Sequence, residues 1–324
     1  MDRVLIVADE GDDHADHIER LLVERGAEVI MFDPTRFPAS AALSVAVSSS
    51  GVRRGRITMD GRKIDLDTLT SVWLRRPLLP VAHSQIVDVD VRRYVEKESA
   101  VFATDVWDTL NCRVLPASRA TMDRAAHKLL QLIKAGREGF ELPPTLVTTD
   151  PDEFLDFYRE YDGNIITKVL DQRCAHHRGD EFDRYTEPVS PADVAYADSM
   201  RLCPIIVQSY VSKAVELRIT VVGAKVFAAE IESQKTNHTR HDWRQFDPNM
   251  SYRIHHLPDA VNARCVRLVQ RLGLAYGAID MILTPDERYV FLEMNPDGQY
   301  LWIEDLTGLA ISDSICEFLL VGAR

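Results

Sequence analysis

Residues 276–295 read YGAIDMILTPDERYVFLEMN, two mostly apolar runs joined by a Pro-Asp turn. This pattern predicts a β-hairpin, in which side chains alternate between the two faces of each strand. If the Pro-Asp dipeptide lies at the centre of the turn, Asp280 pairs with Phe291. Phe291, Glu293 and Asn295 then share the face of Asp280. We expect the backbones of Asp280 and Glu293 to lie about 7–8 Å apart as diagonal neighbours.

Two carboxylates and an amide on one face form a set of hard oxygen donors. Such a set suits magnesium that also holds nucleotide phosphates, so the predicted magnesium ligands are Asp280, Glu293 and Asn295. The opposite face, with apolar residues such as Ile279, Leu292 and Met294, would pack against helices. A register error of one residue would scatter the oxygens over both faces. The alternative is a surface hairpin with solvated acids.

Two lysines upstream of the hairpin are candidates for binding the phosphates of a nucleotide. Lys128 lies on a helix predicted for about residues 122–135, and Lys168 ends the apolar strand NIITK. Neither a GxxxxGK[ST] nor a GxGxxG phosphate loop occurs in the sequence. A single lysine is more often a solvated surface group, but Lys168 follows two isoleucines in a strand that we expect to be buried.

The stretch VQSYV is a candidate for the adenine slot. Gln208 would supply an amide partner for the base, and Tyr210 and Val211 would form the walls. A simple strand between two domains is the alternative interpretation, and the stretch alone does not decide between them.

Length and charge limit the classes of protein to which the chain can belong. With 324 residues it is too long for one compact core and suits two or three modules. The formal net charge of −12 argues against wholesale binding to nucleic acid or to an anionic membrane. Five scattered cysteines without a CxxC spacing favour free thiols over disulfides or a zinc site. Since neither a signal-peptide pattern nor a membrane-spanning apolar run is found, we expect a cytoplasmic protein.

The predicted elements divide the chain into three parts, and the fold class is mixed α/β (α+β). The N-terminal stretches RVLIVA and EVIMFD flank a helix, which indicates a parallel sheet with a β-α-β connection. We place this N-terminal domain at residues 1–116. A central domain follows at residues 117–207, and a C-terminal domain with the antiparallel hairpin covers residues 208–324.

The chain resembles the ATP-grasp superfamily, in which two α+β modules close on ATP. The resemblance lies in an ordered set of components: Lys128, Lys168, a polar loop, the stretch QSYV, the tripeptide ELR, and Asp280 with EMN. The resemblance covers about residues 117–310 and implies the ATP-grasp fold, with ATP and Mg²⁺ as cofactors. Carried over to this chain, it implies phosphate contacts by Lys128 and Lys168, an adenine slot at Gln208, Tyr210 and Val211, and ribose binding by Glu216. It also implies that Arg218 faces the transferred phosphate and that Asp280, Glu293 and Asn295 bind magnesium. The polar stretch 171–187 would cover the phosphates.

Further stretches resemble the graspetide synthetases, the peptide-maturing ATP-grasp ligases typified by the microviridin ligases. These stretches are SVWLRRP, LPPTLVTTDP, QSYVSKAVELRITVVG, the DWR tripeptide and EMNPDGQYLWIEDLTGL. With them the resemblance runs over nearly the whole chain. It implies a ligase that activates Asp or Glu side chains of a ribosomally made precursor peptide as acyl phosphates. Ser/Thr hydroxyls or Lys amines would then form esters or amides that close macrocycles. The resemblance also implies a homodimer.

The substrate side of the site is less defined than the nucleotide side. Arg75, Arg76 and Arg244 are our candidates for holding acidic residues of the precursor, a leader followed by a core, although structural ion pairs are the alternative for each. Arg218 and Lys168 are the candidates for catalysis. Two other functions would use the same nucleotide contacts. One is a ligase that adds a free amino acid to a protein tail or small acid, and the other is a non-catalytic nucleotide-binding protein.

Overall fold

The computed structural model describes residues 1–170, 175–177, 180–182, 185–235, 239–245, 247 and 250–320. The described chain has a mixed α/β fold, with a parallel sheet near the N-terminus and antiparallel sheets after it, as the sequence predicts. No helix in the described part is long and apolar enough to cross a membrane.

The helices are, in chain order, α1 (Asp13–Glu24), α2 (Val89–Asp108), α3 (Arg119–Ala125), α4 (Lys128–Arg137), α5 (Pro151–Glu160), α6 (Pro191–Ala195), α7 (Asp259–Arg271), α8 (Leu301–Thr307) and α9 (Ile311–Leu319). The strands of the N-terminal part are β1 (Arg3–Val7), β2 (Glu28–Phe32), β3 (Ala41–Val47), β4 (Arg53–Met59), β5 (Arg62–Asp65), β6 (Ser71–Leu74) and β7 (Arg113–Leu115). The later strands are β8 (Thr145–Thr148), β9 (Ile165–Lys168), β10 (Ala175–His177), β11 (Asp180–Phe182), β12 (Glu187–Pro188), β13 (Ile205–Ser209), β14 (Val215–Val222), β15 (Lys225–Ile231), β16 (Tyr252–Ile254), β17 (Tyr276–Leu283) and β18 (Tyr289–Asn295).

The N-terminal domain is built on a parallel sheet in the order β2-β1-β6-β7. The apolar run of β1 is buried, because this strand lies between β2 and β6 and has neighbours on both faces. Helix α1 begins at Asp12, whose side chain accepts a hydrogen bond from the N–H of Ala15. It buries Ile18 and Leu22 in a core shared with α9. The start of α1 and the end of β6 therefore lie close to the C-terminal part of the chain.

A second sheet, β3-β4-β5, is antiparallel and packs on the parallel sheet. Its inward side chains include Leu43, Ile57 and Ile64, which share a core with Trp107 of α2. The N-terminal domain thus has two layers of strands with α2 packed beside them.

The helix predicted for residues 122–135 is in fact two helices, so the prediction of one continuous helix was wrong. The chain breaks at His127, which has an extended backbone, and α4 then begins at Lys128. The Gln131 side-chain amide donates to the carbonyl oxygens of Ala125, at 2.7 Å, and Met294, at 2.6 Å. This amide satisfies a carbonyl that a continuous helix would have bonded internally. The break places Lys128 on the first turn of α4, facing β18.

The central sheet has the order β12-β9-β13-β8 and is antiparallel throughout. Helix α5 covers it and buries Phe154 against Ile165 and Val207. In the predicted loop at 171–187, residues 171–174, 178–179 and 183–184 lie outside the described residues. Residues 175–177 and 180–182 form the β10–β11 hairpin, and residues 185–187 lead into β12.

The C-terminal sheet has the order β16-β15-β14-β17-β18. One face packs against α4 and α7 through residues such as Leu132, Leu268 and Met281. The other face packs in part against α8 and α9 through residues such as Val222 and Tyr276, and in part lines a cavity. The domain boundaries near residues 116 and 208 remain predictions. The second falls inside β13, and α4 packs against the C-terminal sheet rather than the central one.

Candidate active site

A cavity of about 1530 Å³ lies between the central and C-terminal sheets. Ligand cavities commonly measure ~300–1,000 Å³, so this one has room for more than a nucleotide. Every residue that the sequence singled out, except Arg75, lines it. These lining residues are Arg76, Lys128, Lys168, Gln208, Tyr210, Val211, Glu216, Arg218, Arg244, Asp280, Glu293 and Asn295.

The centre of the cavity wall is a row of three charged residues on neighbouring strands. Arg218 of β14 is directly opposite Asp280 of β17, and Asp280 is directly opposite Glu293 of β18. Asn295 pairs with Ala278, two residues along, and therefore lies on the same face. The three predicted magnesium ligands are thus neighbours, and the arginine joins them through the strand pairing.

The predicted register of the hairpin was wrong by two residues at Asp280, which pairs with Glu293 and not with Phe291. The turn holds one more residue than expected, because Glu287 adopts a left-handed conformation at φ 63° and the last pair before the turn is Leu283 with Tyr289. A β-bulge at Leu292 adds the second residue, since Asp280 pairs with Glu293 but Met281 pairs with Phe291. Because side chains alternate between faces, two shifts of one residue return Glu293 to the face of Asp280, and the two residues are neighbours.

Phe291 was predicted on the face of Asp280, and this prediction was wrong. The residue precedes the bulge, so its side chain points to the opposite face and packs in the core beside Phe140. Leu292, predicted to pack against helices, instead lines the cavity next to Ile282.

Each acidic residue of the row has a cationic partner. The Arg218 guanidinium donates to both Asp280 carboxylate oxygens at 2.9 and 3.0 Å. The Lys128 ammonium donates to Glu293 at 2.7 Å. Burial alone would raise the pKa of Glu293, but Lys128 and Lys168 lower it to about 2. Burial raises the pKa of Asp280 despite the guanidinium beside it, and burial lowers the pKa of Lys168 to about 8.

The donor set of the row fits a magnesium ion that binds together with phosphate. Among the described residues no group of three or more His, Cys, Asp or Glu side chains is arranged to hold a metal. The protein oxygens here are two carboxylates and the Asn295 amide, so a cation would complete its shell with phosphate and water oxygens. Magnesium is commonly bound in this way, by one or two carboxylates plus substrate phosphates.

The cavity wall at the end of β13 has the features of an adenine slot. Gln208 is 1% exposed and its amide donates to the Thr145 hydroxyl at 2.8 Å. Its carbonyl oxygen is buried and has no hydrogen-bond partner within the described residues, so an amino group of a ligand could satisfy it. The Tyr210 N–H donates to the Asn164 carbonyl at 2.9 Å, which fixes the following chain.

Glu216 lies beside this slot on β14 and is held by two donors. The Lys213 ammonium donates to it at 3.0 Å and the Ser233 hydroxyl at 2.8 Å. Burial raises the pKa of the Glu216 carboxyl against the effect of Lys213. Lys213 also donates to the His241 carbonyl, and the His241 ring meets Tyr210 edge to face. Sequence reasoning missed Lys213, since it does not lie in an apolar strand.

Arg75 lies behind the cavity wall, not in it. It is 3% exposed, its Nε lies 3.3 Å from an Asp12 oxygen, and one amino group donates to the Asp297 carbonyl at 3.2 Å. Next to it, His14 Nε2 accepts from the backbone N–H groups of residues 300 and 301. The N-terminal domain thus forms hydrogen bonds with the segment that follows Asn295. Sequence reasoning missed His14, and no motif pointed to it.

This segment, residues 297–301, also contacts the Arg218 guanidinium. Arg218 donates to the Gln299 carbonyl at 3.2 Å, while the Tyr276 hydroxyl donates to the Gly298 carbonyl. A Cβ atom on Gly298 would lie 2.5 Å from the Ala278 Cβ and 2.7 Å from Arg218 Nη2. Only glycine allows this approach. Together, the N-terminal domain and Gly298 set the position of Arg218.

The other two candidate substrate arginines differ in their surroundings. Arg244 forms a salt bridge to the buried Asp242 at 2.5 Å and lies over the Tyr185 ring. Arg76 is exposed at the cavity edge, and its backbone is left-handed at φ 44°. A non-glycine residue at this φ is strained, and such residues cluster at functional sites. Trp243 and Trp302, with ring centroids 5.1 Å apart, add an aromatic wall.

Comparisons with known proteins give a consistent result. Residues 3–121 match the model of the MvdD pre-ATP grasp domain. No curated protein matches the chain. Among solved structures, a RiPP-associated ATP-grasp ligase of Chryseobacterium gregarium, in complex with ADP and a leader and core peptide, is 28% identical with a TM-score of 0.90. The alignment covers 98% of this chain and 96% of that one.

Two macrocyclases of Microcystis aeruginosa MRC are similar at higher identity. MdnC, bound with precursor peptide MdnA, is 31% identical, with a TM-score of 0.86 and coverage of 98% of this chain and 99% of that one. MdnB is 30% identical, with a TM-score of 0.81 and coverage of 99% and 100%. The similarity to each macrocyclase therefore extends over nearly the whole length of the two aligned chains.

Proposed function

We propose, because the chain belongs to the graspetide-type ATP-grasp ligases, that it matures a ribosomally made precursor peptide by activating Asp or Glu side chains with ATP. The observation that carries this proposal is the row of Arg218, Asp280 and Glu293 in a cavity larger than a nucleotide requires. With magnesium bound, the row would hold the phosphates, and the remaining space would admit a peptide side chain.

The nucleotide would bind with its adenine at the end of β13 and its phosphates at the charged row. The unpartnered Gln208 carbonyl supports an adenine amino contact, and the buried Glu216 supports a ribose contact. Lys128 and Lys168 would contact the phosphates, and Asp280, Glu293 and Asn295 would hold magnesium. Magnesium, when bound, would neutralise charge on the β- and γ-phosphates. In the structure described here, Lys128 and Arg218 neutralise the two acids themselves.

The chemistry would proceed in two balanced steps. In the first, an oxygen of the substrate carboxylate attacks the γ-phosphorus of ATP, and ADP leaves as the bond to the bridging oxygen breaks. In the second, a hydroxyl or amine of the peptide attacks the acyl carbon, phosphate leaves, and the nucleophile loses a proton. Arg218 and Lys168 would stabilise the charge on the transferred phosphoryl oxygens. Each link removes the elements of one water molecule from the peptide.

On the substrate side, Arg76 is the strongest candidate for an acidic residue of the precursor. It is exposed at the cavity edge in a strained conformation, whereas Arg244 already pairs with Asp242. Arg75, which is buried, would act by positioning the segment after Asn295. We further propose that the enzyme works as a homodimer in the cytoplasm, where ATP is present and thiols stay reduced.

The test is a reaction of the purified chain with ATP, magnesium and a candidate precursor rich in Thr/Ser and Asp/Glu. We expect ADP and a peptide lighter by one water per link in mass spectrometry. Glu293→Gln should abolish both products, whereas Glu287→Gln, at the exposed turn of the same hairpin, should retain them. Turnover that needs only a free amino acid would instead support the alternative ligase and overturn the maturase proposal.

A further inference from the structure

Among the described residues, six acids line the cavity, and five of them already pair with a cation of the protein. The five pairs are Arg119 with Asp123, Lys128 with Glu293, Lys213 with Glu216, Arg218 with Asp280, and Arg244 with Asp242. The sixth acid is Asp297, which is half-buried. Its carboxylate has no hydrogen bond or ion pair to any residue that the structure describes. This carboxylate can therefore accept hydrogen bonds from a bound molecule.

The backbone that carries Asp297 is fixed by hydrogen bonds. Its N–H donates to the Asn295 amide oxygen at 3.2 Å, and its carbonyl accepts from Arg75, also at 3.2 Å. The next carbonyl, of Gly298, accepts from the Tyr276 hydroxyl. Because the backbone is already ordered, little conformational freedom is lost when the carboxylate binds a ligand.

The strand pairings show on which side of the charged row Asp297 lies. Along β14, Glu216 marks the proposed ribose end, and Arg218 of the row follows two residues later. After two more residues, β14 is level with Asn295, because both pair with Ala278 of β17. Asp297 follows Asn295 and therefore lies beyond the row, on the side away from the adenine slot. The γ-phosphate is the end of ATP farthest from adenine, so it would point toward this side.

The unpaired charges of the cavity match the charged groups of an amide-forming ligation. In the described part of the lining, Arg76 and Lys168 are cations without an ion pair. Two such cations suit an ATP phosphate and the substrate carboxylate. The unpaired Asp297 carboxylate suits an ammonium group, whereas an ester-forming hydroxyl would bring no positive charge to it. Hydrogen bonds between charged partners are also stronger than those between neutral groups.

We propose that Asp297 binds the ammonium group of a precursor lysine, and that this lysine is the nucleophile of an amide-forming ligation. The proposal rests on the function proposed above and adds the class of nucleophile. The bound lysine would lie beside the acyl phosphate formed at the row. Binding would thus bring the two reacting groups together before the amide bond forms.

The lysine forms the amide in a step that requires no further reactant. Its ammonium group first loses a proton to water, which leaves a lone pair on the nitrogen. This pair forms the bond to the acyl carbon, while the bond from the acyl carbon to the phosphate oxygen breaks. The nitrogen then loses a second proton, which the released phosphate takes up.

The test compares two forms of a candidate precursor that carry either Lys or Thr at the same core position. Each form is incubated with the purified full chain, ATP and magnesium, and kcat/KM is measured for the loss of one water. Mild base then cleaves an ester but not an amide. We expect the wild type to favour the Lys form about tenfold, and Asp297→Asn to remove this preference without slowing the Thr form. Asp305→Asn is the matched control, since Asp305 is exposed on α8 outside the cavity.

Hydroxylamine separates the two steps, because it traps the acyl phosphate as a hydroxamate without a peptide nucleophile. Asp297→Asn should form ADP and hydroxamate at the wild-type rate. This result would also show that the variant is folded and keeps its nucleotide and magnesium sites.

Each contrary outcome has a distinct meaning. A wild type that links the Thr form faster, or an Asp297→Asn variant that keeps the preference for Lys, overturns the lysine assignment while the ligase proposal stands. Equal loss of hydroxamate and of both links in Asp297→Asn would place the residue in the first step and would also refute the assignment. A wild type that gives neither ADP nor hydroxamate with either form would refute the proposed function itself, and the lysine assignment with it.

Discussion

Replacing His14 with glutamine should remove part of the acid sensitivity of the fold. His14 is 8% exposed, and its Nε2 accepts from the backbone N–H groups of residues 300 and 301 at 3.3 and 3.2 Å. Only a neutral ring can accept these bonds at Nε2. Burial and the neighbouring Arg75 lower the pKa of His14 from 6.5 to about 4, so the folded protein keeps the ring uncharged.

The sign of the effect follows from the two pKa values. Between pH 6.5 and 4 the unfolded chain binds a proton at His14 that the folded chain does not, so stability falls as the pH falls. The full difference between these pKa values corresponds to about 3.4 kcal/mol of unfolding free energy. At pH 6, about 0.8 kcal/mol of it has already been lost relative to pH 7.5. This range avoids the isoelectric point near 5.3, where solubility is lowest.

The assay is urea unfolding at pH 7.5 and 6.0, followed by tryptophan fluorescence. His14→Gln keeps an acceptor but cannot titrate, so the loss of stability between the two pH values should be smaller by about 0.8 kcal/mol than in the wild type. His17→Gln, on the same helix, controls for the loss of an imidazole. An unchanged pH dependence in His14→Gln would refute the reasoning, as would a histidine resonance in NMR showing that His14 is charged at pH 6.

Three further predictions concern the cavity. Lys128→Met should destabilise the fold by about 1.5–3 kcal/mol in urea unfolding, because it removes the charged hydrogen bond from Lys128 to the buried Glu293 carboxylate, and adding Glu293→Gln should recover part of the loss. Gly298→Ala should lower ligation turnover roughly 100-fold with little change in calorimetric ADP affinity, since its Cβ would lie 2.5 Å from that of Ala278; unchanged turnover would contradict this. Gln208→Leu should raise the KM for ATP about tenfold, because it removes the carbonyl that a ligand would satisfy, and should cost about 1 kcal/mol of stability, because the hydrogen bond to the Thr145 hydroxyl is also lost.

The sequence by itself allowed the types of the site residues and their order along the chain to be predicted. Carboxylates at the ends of apolar runs, as in YVFLEMN, and a lysine after two isoleucines are unusual enough to indicate a site. The parallel N-terminal sheet and the antiparallel hairpin also follow from local patterns of apolar residues. The roles of these residues toward ATP and magnesium remain predictions.

The remaining features of the site could not be predicted, because local sequence patterns do not contain the contacts and backbone irregularities that decide them. The break before Lys128 depends on Gln131, which bonds a carbonyl of β18 as well as its own helix. The register of the hairpin depends on the left-handed Glu287 and on the bulge at Leu292, and neither has a signal in the sequence.

The hairpin shows most clearly which features could be predicted from the sequence and which were decided by the tertiary structure. The sequence identified Asp280, Glu293 and Asn295 as one set, and two compensating shifts in register left that set on one face. Only the tertiary structure placed Arg218 opposite Asp280, and placed Arg75 and His14 in hydrogen bonds to the segment after Asn295. Arg75 and Asp297 are 222 residues apart in sequence. Pairings over such distances are selected by the packing of whole domains, whereas residue types and periodicity are properties of the local chain.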